Sequence, residues 1–134
     1  MSLTTRAWAL VLFALLPALG AGCGGSRPTI PPRGEVELKE IQDIYQLFIK
    51  NHQRPPTQMS DLASRQYEGI YPGAVHSLKQ GKYVVVWGVK DKDSGTVLAY
   101  EKDAPTKGGP VVMADGTVKT MTAEQLQAAL KAKT

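Results

Sequence analysis

The sequence predicts an α+β domain, in which an N-terminal helix packs on an antiparallel β-meander of about four strands and a short C-terminal helix follows. Residues 35–51 repeat apolar side chains at helical spacing. Residues 82–121 contain short apolar segments that are separated by turn residues. Residues 122–133 begin with a helix-capping sequence. A helix that covers one face of such a sheet makes a sandwich of two layers.

Residues 35–51 contain the first predicted helix. Glu35, Glu37 and Glu40 lie near its N-terminus, where the helix dipole favours carboxylates. Pro55 and Pro56 prevent the helix from continuing beyond the low fifties. We expect its apolar stripe to pack in the core, with a partner-binding groove as the alternative. The stripe consists of Leu38, Ile41, Ile44, Tyr45, Leu47 and Phe48.

Residues 57–80 connect the predicted helix to the predicted strands. Ser60 is a suitable N-cap for a short helical turn that ends near Ala63. Residues 65–80 are predicted to be a loop, because glycine, proline and tyrosine interrupt any regular pattern. Tyr67 and Tyr71 in that loop could pack on the helix with outward hydroxyls, or they could line a groove. They are the candidate partner-binding residues.

Apolar segments between residues 82 and 121 predict the meander. Residues 82–89 are apolar on both faces, which is typical of a central strand, and residues 96–101 form the next strand. The Asp115-Gly116 pair between apolar segments indicates a hairpin with a two-residue type I′ turn. That turn would pair Met113 with Val118, and Val111 with Thr120.

The last predicted helix has a local start signal. Thr122 is its N-cap, and Gln125 three residues later completes a capping box. Leu126, Ala129 and Leu130 give this helix a thin apolar stripe. We therefore expect a short helix that packs weakly on the sheet.

The start of the chain has the three-part layout of a signal peptide. Arg6 is positively charged, residues 7–16 form an apolar run too short to span a bilayer, and Pro17 ends that run. Small residues then lead to Cys23, the only cysteine, which therefore cannot form an internal disulfide. A segment rich in glycine, serine and proline follows and is predicted to be a flexible tether. The predicted units are a signal peptide over residues 1–22, a tether over 23–34 and a single domain over 35–134.

The segment Leu19-Gly20-Ala21-Gly22-Cys23 resembles the lipobox of bacterial lipoproteins. Its last three residues match that motif, whereas Gly20 stands where leucine is usual. The resemblance implies cleavage before Cys23 and lipidation of its sulfur, with acyl chains such as palmitate that bury CH₂ groups in a membrane. It also implies the periplasmic face of the cell envelope, and Gly24 in place of aspartate favours the outer membrane over the inner. An ordinary secretory leader with a chance cysteine is the alternative.

Charge is spread along the chain and gives no sign of a nucleic-acid partner. The formal net charge is +4, and Lys90-Asp91-Lys92-Asp93 alternates in sign. A basic stripe with interleaved aromatic residues is absent from the sequence, so nucleic-acid binding is not expected. Because the net charge is small and dispersed, we expect only a weak attraction to anionic lipid headgroups.

The sequence contains no recognisable catalytic constellation, so we expect neither enzymatic activity nor a cofactor. His52 and His76 are the only histidines, and neither has the spacing of a metal ligand. Residues 91–95 begin like a calcium loop, but Lys102 stands where a glutamate ligand is required. A plain hairpin turn is therefore the main interpretation. The weak candidate metal ligands are Asp91, Asp93 and Asp103.

The order helix, loop and meander resembles the globular part of type IV pilins and type II secretion pseudopilins. Residues 109–118, Gly-Pro-Val-Val-Met-Ala-Asp-Gly-Thr-Val, are similar to the Asp-Gly hairpin that ends the pilin-like proteins of planctomycetes. Two features of those families are missing: Pro105 replaces the usual histidine, and no prepilin cleavage signal with an apolar helix is present. The resemblance implies a pilin-like head on a lipid anchor.

Three functions are compatible with these observations. The first is a lipid-anchored envelope protein with a non-enzymatic interaction or structural domain. The second is a secretion or pilus accessory that docks on pseudopilins through the meander edge or the Leu38–Phe48 helix. The third is an envelope receptor for a small ligand or Ca²⁺, which would use the Tyr67–Tyr71 segment or the Asp91–Asp103 edge.

Overall fold

The computed structural model describes residues 32–90 and 95–132. The predicted signal peptide, Cys23 and the tether as far as residue 31 lie outside the described residues, as do Asp91 and Asp93. The described chain has an α+β fold. Its order of a long helix, a four-stranded antiparallel sheet and a short C-terminal helix confirms the sequence prediction.

Helix α1 spans Arg33–His52, so it begins inside the segment that was predicted to be tether. Its apolar stripe is buried in the core, as predicted, through Leu38, Ile41, Ile44, Tyr45 and Phe48. The helix ends at Gln53, which adopts a left-handed conformation with a φ of 55° and donates its N–H to the carbonyl of Ile49.

Three short helices follow, where a single helical turn and a loop were predicted. Helix α2 spans Met59–Leu62, α3 spans Arg65–Ile70 and α4 spans Pro72–Lys79. The loop prediction for residues 65–80 is therefore wrong. Pro72 does not break α4 because it is the first helical residue, where a missing N–H costs nothing. Burial of one apolar face stabilises α4 despite its short length, through Ala74, Val75 and Leu78.

The sheet is an antiparallel meander with the strand order β1-β2-β3-β4. Its strands are β1 (Tyr83–Val85), β2 (Val97–Glu101), β3 (Gly109–Met113) and β4 (Val118–Met121). Helix α5 (Ala104–Lys107) lies between β2 and β3, and α6 (Ala123–Lys131) follows β4. The prediction that residues 82–89 form a long central strand is wrong, because β1 is short and lies at an edge. Gly88, with a φ of 72°, turns the chain beyond the end of β1.

The hairpin at Asp115-Gly116 is present, but its register differs from the prediction. Val112 pairs with Val118 and Val111 with Lys119, one position away from the expected pairing. Gly116 has a φ of 85° and donates its N–H to the carbonyl of Met113. The glycine therefore forms a bulge after the turn, which adds one residue to the loop and shifts the register.

Apolar side chains are buried on both faces of the sheet. One cluster joins α1–α4 to a face that includes Tyr83, Val85, Ala99 and Val112. The second cluster lies on the opposite face and includes Val97, Tyr100, Val111, Met113 and, from α6, Leu126. The described domain therefore has three layers instead of the predicted two. The predicted capping box is confirmed, since Thr122 and Gln125 bond each other's backbone N–H groups at 3.0 and 3.2 Å.

Candidate functional site

The predicted lipidation site, Cys23, lies outside the described residues, and the nearest described element is the first turn of α1. None of the described helices has the combination of length and apolarity that a membrane span requires. The residues that hold the first turn of α1 are therefore the described residues closest in sequence to the predicted lipidation site.

Glu37 fastens the start of α1 to the edge strand β1. Glu37 is only 5% exposed. One oxygen accepts hydrogen bonds from the Tyr83 hydroxyl and the Lys82 ammonium, both at 2.7 Å. The other oxygen accepts a bond from the Arg33 guanidinium at 3.2 Å. We call these four residues, Arg33, Glu37, Lys82 and Tyr83, the Glu37 clamp.

The donors of the Glu37 clamp keep its carboxylate ionised. Burial alone would raise the pKa of Glu37, but the hydrogen bonds from Lys82 and Tyr83 and the charge of Lys82 outweigh it and lower the pKa. The pKa of Tyr83 is raised, first by burial and then by the neighbouring Glu37 carboxylate. Tyr83 therefore stays a neutral donor, and the clamp is a charge-assisted contact and not a proton-transfer pair.

The same end of the domain brings the N-terminal turn of α1 close to β2. A side chain at Gly34 would place its Cβ 2.8 Å from a carboxylate oxygen of Glu101, so the glycine allows this approach. Lys82, Glu101, Lys102 and Asp103 line a shallow depression of about 310 Å³ beside it. The chain therefore enters the described domain at a polar end of the sheet, with carboxylates and ammonium groups intermixed.

Tyr45 makes a second buried contact between α1 and the segment after β1. Its hydroxyl donates to the carbonyl of Val89 at 3.0 Å and accepts from the N–H of the same residue at 2.8 Å. Burial raises the pKa of Tyr45 to about 12. Both backbone groups of Val89 are satisfied by one side chain, which fixes a segment that is outside any strand.

The candidate partner-binding residues Tyr67 and Tyr71 do not form an exposed pair. Tyr67 lies in α3 and is 2% exposed, so the expectation of an outward hydroxyl at this position is wrong. Its buried hydroxyl has no hydrogen-bond partner within the described part of the chain. Tyr71 is half-buried and packs against the same core cluster. The ring of Tyr67 therefore contributes to packing and not to a surface.

Removing the hydroxyl of Tyr67 is expected to leave the domain as stable as before or stabilise it by up to ~1 kcal/mol, because a buried unsatisfied hydroxyl is unfavourable. Tyr45→Phe is the matched variant, and it should lower the free energy of unfolding by ~2 kcal/mol, because it leaves both backbone groups of Val89 unpaired. Urea denaturation of Tyr67→Phe and Tyr45→Phe measures both changes. Equal losses of stability in the two variants would contradict the conclusion that the Tyr45 hydroxyl is hydrogen-bonded and the Tyr67 hydroxyl is not.

Of the three candidate metal ligands, Asp103 lies within the described residues. Asp91 and Asp93 lie outside the described residues, and Asp103 is an exposed residue that pairs with Lys107 at 3.1 Å. Within residues 32–90 and 95–132, no three histidine, cysteine or carboxylate side chains are grouped as a metal site would require. His52 is the last residue of α1 and stacks on Phe48, with ring centroids 4.3 Å apart.

The opposite edge of the sheet, β4, borders two surface grooves. One groove of about 300 Å³ lies between the first turns of α1 and the start of β4, and its lining includes Val36, Lys39 and Val118. A second groove of about 580 Å³ lies at the other end of β4, beside Met121 and Thr122. Val36 is 40% exposed, which is unusual for a large apolar side chain in this domain. We call β4 and these two grooves the β4 edge site.

The Glu37 clamp was missed by the sequence prediction, which treated Glu37 as one of three carboxylates near a helix N-terminus. A signal was available, because Glu37 precedes Ile41 by four positions and Tyr45 by eight, which places it on the buried face. A carboxylate on an apolar helix face needs a donor from elsewhere in the fold. The adjacent pair Lys82-Tyr83, which supplies two donors, could not be matched to it without the fold.

No protein-family model, curated protein or solved structure matches this chain.

Proposed function

We propose that the chain is a lipid-anchored cell-envelope protein whose folded domain is a non-enzymatic interaction or structural module. The observation that supports this proposal is the Leu19–Cys23 sequence, placed directly after a short apolar run and before a segment rich in glycine and proline. A thioether-linked diacylglycerol, with a further acyl chain on the new N-terminus, would bury enough CH₂ groups for lasting attachment.

The Glu37 clamp suits a domain that is held by its N-terminus. Helix ends normally fray, because their terminal backbone groups lack intrahelical partners. In this domain the first turns of α1 are bonded to β1 through a buried carboxylate. A pull on the N-terminus would therefore act on the sheet as well as on the first helical turn.

The proposed location is the periplasmic face of the envelope, and the outer membrane more than the inner. This part of the proposal depends on Gly24, which follows Cys23 where an inner-membrane lipoprotein of enterobacterial type carries aspartate. Membrane attachment would come from the acyl chains, since the net charge of +4 is small and spread along the chain.

Metabolic labelling with radioactive or clickable palmitate tests the anchor. The wild-type protein is expected to carry the label and to fractionate with membranes. Cys23→Ala should lose essentially all of the label, because no other cysteine is available. Cys23→Ser is the matched control for side-chain size and should behave like Cys23→Ala. Equal labelling of the wild type and both variants would refute lipidation at this position.

A second candidate function is that of a secretion or pilus accessory that docks on pseudopilins. The observation that favours it is the β4 edge site, where an open strand and the exposed Val36 lie next to each other. Cross-linking in intact cells from a photoreactive residue at position 36 tests it. We expect adducts with secretion components, whereas cross-links from position 70, the exposed Ile70 on α3, should not show them.

A further inference from the structure

We infer that the β4 edge site binds an extended segment of a partner protein as a fifth strand, and that this segment alternates apolar and acidic residues. This inference rests on the proposed interaction function and specifies the chemistry of the partner. It depends on three observations: the direction of the free backbone groups on β4, the groove at Val36 that borders that strand, and the charge of the exposed Lys119.

The backbone groups of Val118 and Thr120 point away from the sheet. The N–H of Met113 donates to the carbonyl of Thr117, whereas the N–H of Ala114 donates to the carbonyl of Thr96. The backbone hydrogen bonds of successive residues along β3 are therefore directed alternately to β4 and to β2. By the same alternation along β4, the backbone N–H and carbonyl groups of Lys119 and Met121 are directed to β3. Two N–H and two carbonyl groups are thus left at the edge for an incoming strand.

The groove at Val36 lies where alternate side chains of an added strand would project. Val118 packs with the cluster on the α1 face of the sheet, and beside it lies the groove that contains Val36. The side chains of Lys119 and Met121 lie on the opposite face of the sheet, because Lys119 pairs with Val111, which belongs to the second cluster. Backbone bonds would supply affinity, and side chains that enter the groove at Val36 would supply specificity.

Charge favours an acidic segment over a second copy of this chain. Lys119 is exposed and forms no ion pair with a described carboxylate. If two copies paired through the free groups of Val118 and Thr120, their Lys119 side chains would face each other, and like charges directly opposite are destabilising. A lysine at such a position protects an edge from self-pairing. A glutamate of a partner strand would instead complement it.

The groove on the α1 face should take an apolar side chain. Val36 and Val118 lie in it together with Glu35, Lys39 and Glu40, and the surface that they present to the groove is mainly apolar. The ammonium of Lys39 is already bonded to Gln42 at 3.0 Å and to the carbonyl of Gly116 at 3.3 Å. An apolar side chain suits this mainly apolar groove, so the acidic residues of the segment belong on the Lys119 face.

Titration of the full chain in detergent micelles with short synthetic peptides tests the inference, with amide NMR shifts as the readout. The first peptide alternates valine and glutamate, and the second alternates valine and lysine. A third repeats the valine–glutamate sequence with N-methyl groups on the amides that would face β4. We expect shifts centred on Val118–Met121 and Val36, affinity about fivefold weaker for the lysine peptide, and about tenfold weaker for the methylated peptide.

Thr120→Pro provides the matching change in the protein. It removes an N–H that points outward, which an edge strand tolerates, and Thr120→Ala keeps that N–H as the control. We expect binding of the valine–glutamate peptide to weaken about fivefold in Thr120→Pro and to stay within twofold in Thr120→Ala. The methylated peptide keeps the test valid if the proline variant fails to fold.

The outcomes separate this inference from the proposed anchor. Equal binding of all three peptides, or no binding, would overturn the inference. Self-association of the protein that Thr120→Pro abolishes would also overturn it, in favour of a second copy as the occupant. Palmitate labelling is measured on the same preparations. Labelled protein without peptide binding contradicts this inference alone, and unlabelled protein that binds the peptide contradicts the anchor alone.

Discussion

Replacing Glu37 by alanine is expected to lower the free energy of unfolding by ~3 kcal/mol near neutral pH. The variant leaves the Tyr83 hydroxyl buried without its acceptor, and it removes the charge-assisted bond to Lys82. Arg33 adds little to this loss, because its side chain is 88% exposed and its ion pair is well solvated. Chemical denaturation of the full chain in detergent measures the change.

A double-mutant cycle distinguishes the clamp from a general effect of losing a carboxylate. Tyr83→Phe alone removes one donor and should cost ~1 kcal/mol, since Lys82 still neutralises Glu37. The double variant Glu37→Ala/Tyr83→Phe should cost less than the sum of the two single variants, because the bond can be lost only once. Strict additivity would contradict a direct contact between these side chains.

Two neighbouring carboxylates on α1 are expected to have opposite pH dependences. The pKa of Glu37 is lowered below its ordinary 4.5, so its contribution to stability is present above that pH and is lost as the pH falls through the lowered pKa. Burial, and then the charges of Glu37 and Asp43, raise the pKa of Glu40 above 4.5. The ionised form of Glu40 therefore lowers the free energy of unfolding, and this destabilisation disappears when acidification protonates the carboxyl group.

Glutamine variants should show these two signs directly. Glu37→Gln should be destabilised relative to wild type near neutral pH, and the difference should shrink below pH 4.5. Glu40→Gln should be stabilised near neutral pH, and its advantage should vanish below pH 4.5. Differences of the same sign and pH profile for both variants would show that the two carboxylates do not have distinct environments.

The second substitution that we expect to cause a large loss of stability is at Gly108, which connects α5 to β3. Its φ of 72° and ψ of 172° lie in a region that is essentially restricted to glycine. An added Cβ would also lie 2.8 Å from the carbonyl oxygen of Met121, which is backbone and cannot rotate away. We expect Gly108→Ala to lower the free energy of unfolding by ~3 kcal/mol or more.

Gly69→Ala is the matched control for that substitution. Gly69 lies within α3, and an added Cβ would meet no atom within 4 Å. Alanine has the higher helix propensity, so this variant should be stabilised by up to ~1 kcal/mol. Urea midpoints of the two variants give the comparison. A Gly108→Ala variant as stable as Gly69→Ala would mean that β4 does not approach Gly108 as closely as described.

Local signals in the sequence were enough to predict the elements whose structure depends on neighbouring residues. The capping box at Thr122 and Gln125 needs only a spacing of three, and the stripe from Leu38 to Phe48 needs only helical periodicity. The hairpin at Asp115-Gly116 was found for the same reason. Its register was missed, because the same dipeptide is compatible with a tight turn and with a turn followed by a glycine bulge.

The features that depend on distant contacts could not be predicted. Helices α3 and α4 contain Gly69, Pro72 and Gly73, whose local preferences favour a loop, and they are stabilised by packing against α1. The Glu37 clamp joins residues that are more than forty positions apart. The β4 edge site likewise requires the strand order, because only that order makes β4 an outer strand.

Intact-mass and N-terminal analysis of the protein extracted from membranes tests the central proposal most directly. We expect a chain whose first residue is Cys23 and whose mass exceeds that of residues 23–134 by a diacylglyceryl group, with or without one further acyl chain. A chain that begins at another residue, or one that begins at Cys23 with no added mass, would contradict the lipid anchor.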